Sequence, residues 1–211
     1  MRQTITTGRI PVKLWLTDLE EGALEQVHRL AELPFAFHHV AVMPDSHRGY
    51  GMPIGGVLAT RKVVVPNGVG VDIGCGMCAL QTSLKVMEAR QCIELVKRIK
   101  DSIPRGFAWH KRQLPGKFMP KLEISDSMEV VRRHYQEARR QLGTLGGGNH
   151  FIELQRGRDK RIWLMIHSGS RNLGKQVADH YNVLAKRFNG WNGWQIPDKW
   201  QLGFLRLETE E

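Results

Sequence analysis

The stretch LGTLGGGNHFIELQRGRDKRIWLMIHSGSR, residues 142–171, decides how the rest of the chain is read. Residues 151–155 and 162–166 are short β-prone runs, and Gly157 and Asp159 supply turn chemistry between Arg156 and Arg161. That pattern predicts a hairpin. If it is symmetric about the Arg158–Asp159 bond, His150 stands opposite His167, with Cβ atoms roughly 4.5–5.5 Å apart on one face. A lone histidine at a strand end is usually structural, whereas two opposed imidazoles suit one metal ion or a metal pair. The glycine-rich stretch LGTLGGGNHFIEL at 142–154, with HSGSR at 167–171 close behind, is of the kind that lets backbone approach a ligand.

Two further glycine-rich loops lie upstream, MPDSHRGYG at 43–51 and GVGVDIGCGMC at 68–78. In the second, Asp72 and Cys75 are three residues apart in a tight turn and could reach one ion. Thiolate, carboxylate and imidazole together favour zinc by ligand softness, with manganese or iron less expected. Cys75 and Cys78 also form a C-x-x-C, but a structural zinc site needs a second pair and the context is not thioredoxin-like. Cys78 and Cys92 therefore read as small core hydrophobes, and Cys75, between Gly74 and Gly76, as the ligand. Gly169–Lys175 fits G-x-x-x-x-G-K, yet Gln176 follows where a nucleotide-bound magnesium requires a hydroxyl, so it is not a P-loop. The amides of that helix start could still hold a phosphate, with Arg171 as a bidentate clamp.

The surrounding sequence mixes helix and strand signals, which sets the fold class as α+β. Thr17 to Glu20 has capping-box spacing, and Leu19, Ala23, Val27, Leu30 and Leu33 recur at helical intervals until Pro34. Strand-like runs follow at 39–43 and 62–66, then a helix near 85–100 carrying Ala89, Cys92, Val96 and Ile99 on one face. Asp126 to Glu129 opens another helix with the seam Met128, Val131, Tyr135, Ala138 and Leu142, and its other faces carry Arg132, Arg133, Arg139 and Arg140. A last helix carries Leu173, Val177, Tyr181, Leu184 and Phe188, before a tail with Trp191, Trp194 and Trp200 that looks like the approach to further protein. Among 211 residues, 31 Lys and Arg against 21 Asp and Glu leave a net charge of +10, which attracts polyanions, nucleic acid first. No apolar run resembles a signal or a membrane span, and the odd cysteine count suits a reducing, cytoplasmic setting.

Four motifs in order, PDSHRGYGMPIGG at 44–56, VGVDIGCGM at 69–77, LGTLGGGNHFIE at 142–153 and HSGSR at 167–171, resemble the RtcB family of RNA-splicing ligases along nearly the whole chain. The resemblance implies joining of RNA 2′,3′-cyclic-phosphate or 3′-phosphate ends to 5′-hydroxyl ends, with GTP and Mn²⁺, through a guanylated histidine. It implies that Cys75 bridges two Mn²⁺ ions, that Asp72 and His150 complete one ion's protein ligands, and that His167 binds the other. Asn149, His150, Phe151, Ile152 and Glu153 would line the guanylate site. The manganese it implies differs from the zinc that softness favours. Arg171, Arg61 or the helix near Arg132 could hold RNA phosphates, and Asp45 and His47 lie in a family motif without an assigned role.

Family members are about twice this length, and their later half carries another metal-binding histidine, most guanosine contacts and the GMP-accepting histidine of an HGAGR-like motif. Residues 1–211 then read as the N-terminal portion of one RtcB-like catalytic domain, which alone binds metal incompletely and does not guanylate itself. RNA, either tRNA halves or broken RNA, is the implied substrate, and an archease-like activator or the missing half the implied protein partner. Two alternatives differ in class: a non-catalytic RNA- or metal-binding module, or half of a split ligase, and more distantly a zinc-dependent hydrolase.

Overall fold

Mixed signals along the chain resolve into nine strands, five α-helices and two short 3-10 helices among the described residues. A computed structural model describes residues 1–121, 123, 128–190, 193 and 195–207. Asp126 and Ser127, expected to open a helix, and Trp191 and Trp194 of the tail lie outside them. In chain order the elements are β1 (Gln3–Ile5), β2 (Val12–Leu14), α1 (Glu21–Glu32), β3 (Ala36–His47), β4 (Ile54–Thr60), β5 (Val63–Val64) and the single turn α2 (Pro66–Val69). There follow β6 (Gly76–Gln81), α3 (Ala89–Ser102), α4 (Glu129–Ala138), β7 (Phe151–Arg156), β8 (Ile162–Ser168), α5 (Leu173–Arg187) and β9 (Leu205–Arg206). The architecture is α+β, as the sequence predicts, and it gathers into two compact units, Met1–Val71 with Ala178–Glu211, and Asp72–Val177.

In the first unit a four-stranded sheet runs β1-β2-β3-β4, with β2 and β3 parallel and the outer pairs antiparallel. A parallel pair needs a crossover, and α1 supplies it. Its recurrent apolar positions bury Ala23, Val27, Leu30 and Ala31. Pro34 disfavours helix at the residue before it, and Leu33 accordingly leaves the helix in an extended conformation. The expected capping box is displaced: the helix starts at Glu21, Glu20 makes no side-chain cap, and its carboxylate accepts from the Arg48 amide instead. Val12, Leu14, Val40 and Val42 from the strands meet Leu30, Leu33, Phe35, Leu202 and Phe204 in one core, with the Phe35 and Phe204 rings 4.7 Å apart. Strand β4 was not expected, since Gly55 and Gly56 weaken its local signal. It forms by pairing with β3, Val40 to Leu58 and Val42 to Gly56. The run at 62–66 shortens to β5, paired with β9.

The second unit is built on the antiparallel sheet β6-β8-β7. Its hairpin differs from the symmetric one expected. Gly157 donates to Arg161 O at 2.9 Å and Lys160 to Gly157 O at 3.0 Å, with Lys160 left-handed at φ 61°. That is a three-residue loop centred on Asp159, the next commonest hairpin after two-residue turns. An odd loop moves the register by one, so Phe151, not His150, pairs with His167. Two cysteine expectations also fail. Cys78 is exposed on β6, all six of whose residues are exposed, and Cys92 is only half-buried on α3, a helix with no buried residue. Helix α3 is held at its start by a reciprocal capping box between Glu88 and Gln91. Of the seam expected on α4, Ala138 is buried, Val131 and Tyr135 are half-buried and Met128 is exposed. A cavity of about 540 Å³ is lined by Tyr135, Ala138 and Leu142 together with Ile152 and Ile166 of the sheet. Among the described residues no helix is long and apolar enough to cross a membrane.

Candidate metal centre

Antiparallel pairing brings the start of β6, the start of β7 and the end of β8 to one end of the sheet, and each carries a donor there. Cys75 immediately precedes β6, His150 immediately precedes β7, and His167 is the penultimate residue of β8. Their ligand atoms all lie within 4.8 Å of one another. Cys75 Sγ is 3.7 Å from His150 Nε2 and 2.7 Å from His167 Nε2, and the two imidazole rings stand 5.4 Å apart at 69°. Sulfur and nitrogen ligands of one tetrahedral ion stand about 3.5 Å apart. The Cys75–His150 spacing fits that geometry, while the Cys75–His167 contact must open slightly to admit an ion.

Asp72 reaches the group from the turn that precedes it, in which the Cys75 amide donates to Asp72 O at 3.1 Å. Its Oδ2 lies 2.7 Å from His150 Nε2, outside the tight trio. A metal taking Nε2 would have to replace that bond, and the carboxylate freed is then itself placed to ligate. Desolvation of the sulfur, then the Asp72 charge and its hydrogen bond, push the Cys75 thiol above its ordinary value, with the Gly76 amide opposing. A cation must therefore displace a proton, which ties any uptake to pH. The His150 side chain is 5% exposed, and its Nδ1 has no partner among the described residues. Mixed thiolate, imidazole and carboxylate donors fit a borderline divalent ion, and the missing partner for Nδ1 leaves the usual second-sphere bond unmade.

The other expected site residues divide by strand alternation. Phe151 pairs with His167 and packs against its ring at 5.6 Å, and Glu153 shares that face. Ile152 points to the opposite face, where it lines the cavity with Ile166, so the five residues from Asn149 to Glu153 do not all line one pocket. Asn149 lies in the loop that turns at His150, whose amide donates to Gly147 O. Arg171 is engaged with its own chain: Nε donates to Thr144 Oγ1 and Nη2 to Gly106 O, both at 3.0 Å. Burial lowers its pKa and the Asp72 charge works against that. As placed, Arg171 ties three loops together instead of presenting a free fork. Ser170 Oγ caps the start of α5 by accepting from the Gly174 amide at 2.7 Å, in place of a P-loop. Asp45 and His47 lie on β3 in the first unit, where His47 Nδ1 meets Asp45 O.

Sequence reasoning passed over two parts of this site. Gly146, at φ 95°, presses against the group, and a Cβ there would fall 2.1 Å from Arg171 Nη1 and 2.3 Å from His150 Nδ1. Gly169 does the same for Asp72, whose two carboxylate oxygens lie 2.4 Å from where its Cβ would be. The clustered glycines were the only signal for either.

Thiolate and imidazole donors gathered at one sheet end, with a carboxylate beside them, could hold a metal ion, and comparison with known proteins gives the family. The family model described as tRNA-splicing ligase RtcB matches residues 26–211. RNA-splicing ligase RtcB of Escherichia coli K12 is 35% identical over 202 aligned residues, 88% of this chain and 50% of the relative. The tRNA-splicing ligases RtcB of Thermococcus kodakarensis and Aeropyrum pernix are 30% and 31% identical, over 96% and 90% of this chain and 53% and 51% of theirs. The chain belongs to the RtcB family. It spans about half the length of the curated relatives it matches.

Proposed function

We propose that this chain forms part of a GTP- and Mn²⁺-dependent RNA ligase that joins 2′,3′-cyclic-phosphate or 3′-phosphate ends to 5′-hydroxyl ends in tRNA splicing or RNA repair in the cytoplasm. The observation that carries the reading is the convergence of Cys75, His150 and His167 at one sheet end, with Asp72 on His150, in a chain of the RtcB family. Cys75, as thiolate, would bridge two ions, with Asp72 and His150 completing one and His167 the other. Bound there, manganese would neutralise phosphate charge and polarise phosphorus for attack. Phe151 and Glu153 share the metal face and would border the guanylate, with Asn149 in the loop beside them. Within the first unit nothing is asked of Asp45 or His47.

The HGAGR-like motif that the resemblance associates with the GMP acceptor has no counterpart in these 211 residues. The chain by itself is therefore expected to take up Mn²⁺ without becoming guanylated. A second reading is a metal- and RNA-binding module that works with a second half or an archease-like activator. Two measurements test the assignment. Electron paramagnetic resonance of free Mn²⁺ should show uptake by the wild-type chain that Cys75→Ala weakens by about tenfold or more. Intact mass after incubation with GTP and Mn²⁺ should stay at the unmodified value. Undiminished Mn²⁺ uptake by Cys75→Ala would remove the site assignment, and a GMP adduct on this chain would place the acceptor within it.

A further inference from the structure

Outside the candidate metal centre, the first unit carries a run of rings and cations around the start of β3, an inner strand of its sheet. Phe37, His38 and His39 are consecutive on β3, and in a regular strand they would point to alternating faces. They do not alternate here. The β3–β4 register shifts between Ala36 and Val40, and His38 is left-handed at φ 66°, so the strand bulges where the three rings lie. Phe37 and His38 have ring centroids 6.1 Å apart and His38 and His39 4.8 Å, both edge to face, and Nδ1 of His38 meets Nδ1 of His39 at 2.6 Å.

Permanent cations close both ends of the run. The Arg61 guanidinium lies over the Phe37 ring, 4.3 Å from its centroid, and its own amide is fixed by Phe35 O. Lys13, from β2 beside β3, acts electrostatically on His39. Phe37 is 44% exposed, an aromatic surface that no core packing requires. A recess of about 230 Å³ adjoins it, walled by Arg9, Arg61 and Lys62 as well as Phe35 and Phe37. Glu32 is committed here to accepting the Arg9 amide.

We infer that the run Lys13, His39, His38, Phe37 and Arg61 is a binding surface for single-stranded RNA. Rings in series, flanked by cations, match a strand whose unpaired bases present flat faces at intervals along a phosphate backbone. An acidic peptide would satisfy the cations and leave the rings unused. The surface would grip substrate strand away from the joined ends, and the choice of RNA rests on the ligase reading above.

The test is fluorescence anisotropy of a short labelled oligouridylate with the full 211-residue chain, in chelator, across a salt series. Without metal, failure here leaves the ligase reading standing, and failed Mn²⁺ uptake leaves this surface standing. Phe37→Ala should weaken binding about tenfold and Phe37→Trp should retain it, since stacking is what the ring supplies. Arg61→Ala and Lys13→Ala should each reduce the salt slope by about 0.7, the single-strand value for one phosphate contact. Wild-type affinity and slope in Phe37→Ala and Arg61→Ala would overturn the assignment. So would a Phe37→Ala chain that binds normally while Arg61→Ala weakens, which would mean attraction of any polyanion, acidic peptides included. Equal weakening of a blunt RNA duplex by Phe37→Ala would also overturn it, because paired bases cannot stack there.

Discussion

Gly146→Ala puts a methyl group where the second unit has no room for one, and the two neighbouring glycines supply internal controls. At φ 95° residue 146 lies outside the conformations that L-residues favour, a strain of about 1–3 kcal/mol. The new Cβ would overlap both Arg171 Nη1 and His150 Nδ1. His150 is boxed in, so the arginine must yield, and with it go bonds to Thr144 and Gly106 worth about 1.5–3 kcal/mol each when the donor is charged. Partial relaxation leaves an expected loss of about 2–5 kcal/mol, or about 5–15 °C in melting temperature. Gly148→Ala, at φ 67° with nothing within 4 Å among the described residues, should cost only the left-handed penalty of about 1–2 kcal/mol. Gly147→Ala meets Gly106 Cα at an ordinary 3.6 Å and should be neutral or slightly stabilising, through the unfolded chain. Urea unfolding followed by amide exchange on β7 and β8 reads all three. Equal effects at 146 and 147, or a wild-type midpoint for Gly146→Ala, would refute the packing described.

Two further outcomes follow from the fold. The Arg161 amide, then Gln81 Nε2 and Trp163 Nε1, hold the Asp159 carboxyl below its ordinary range, so this stabilisation of the hairpin is full above that range and is lost as pH falls through the lowered value. The Trp163 indole resonance should therefore titrate in acid, and Asp159→Asn should flatten its pH dependence. Leu30 is fully buried between α1 and the first unit's sheet, so Leu30→Ala should cost about 2–5 kcal/mol by thermal unfolding, whereas Ile93→Ala on the exposed α3 should change little.

How legible each part was depends on what set it. Helix α1 was legible because both its burial face and its end are local: Ala23, Val27 and Leu30 follow the helical period and Pro34 stops it. Strand β4 was not, because Gly55 and Gly56 carry no strand preference and the pairing that orders them is with β3, far from any local signal. Cys78 and Cys92 misled because the burial preference of free cysteine assumes a covered strand and a covered helix. Here β6 has no buried residue and neither does α3.

The hairpin shows how His150 and His167 can come together through a register other than the expected one. A two-residue turn and a three-residue turn differ by one position, and glycine with aspartate at 157–159 is compatible with either. In mid-strand that slip would have sent every side chain to the wrong face, as it does for Ile152 relative to Phe151. His150 escapes because it lies just outside β7, in a turn opened by Gly146, Gly147 and Gly148, where orientation is set by loop conformation and not by the pleat. Two of those glycines adopt positive φ, and the first of them leaves the space that His150 and Arg171 occupy. The glycine run, read at first only as a loop that lets backbone come close, is thus what turns His150 back towards Cys75, and the meeting of these donors depends on it more than on the strand register that suggested it.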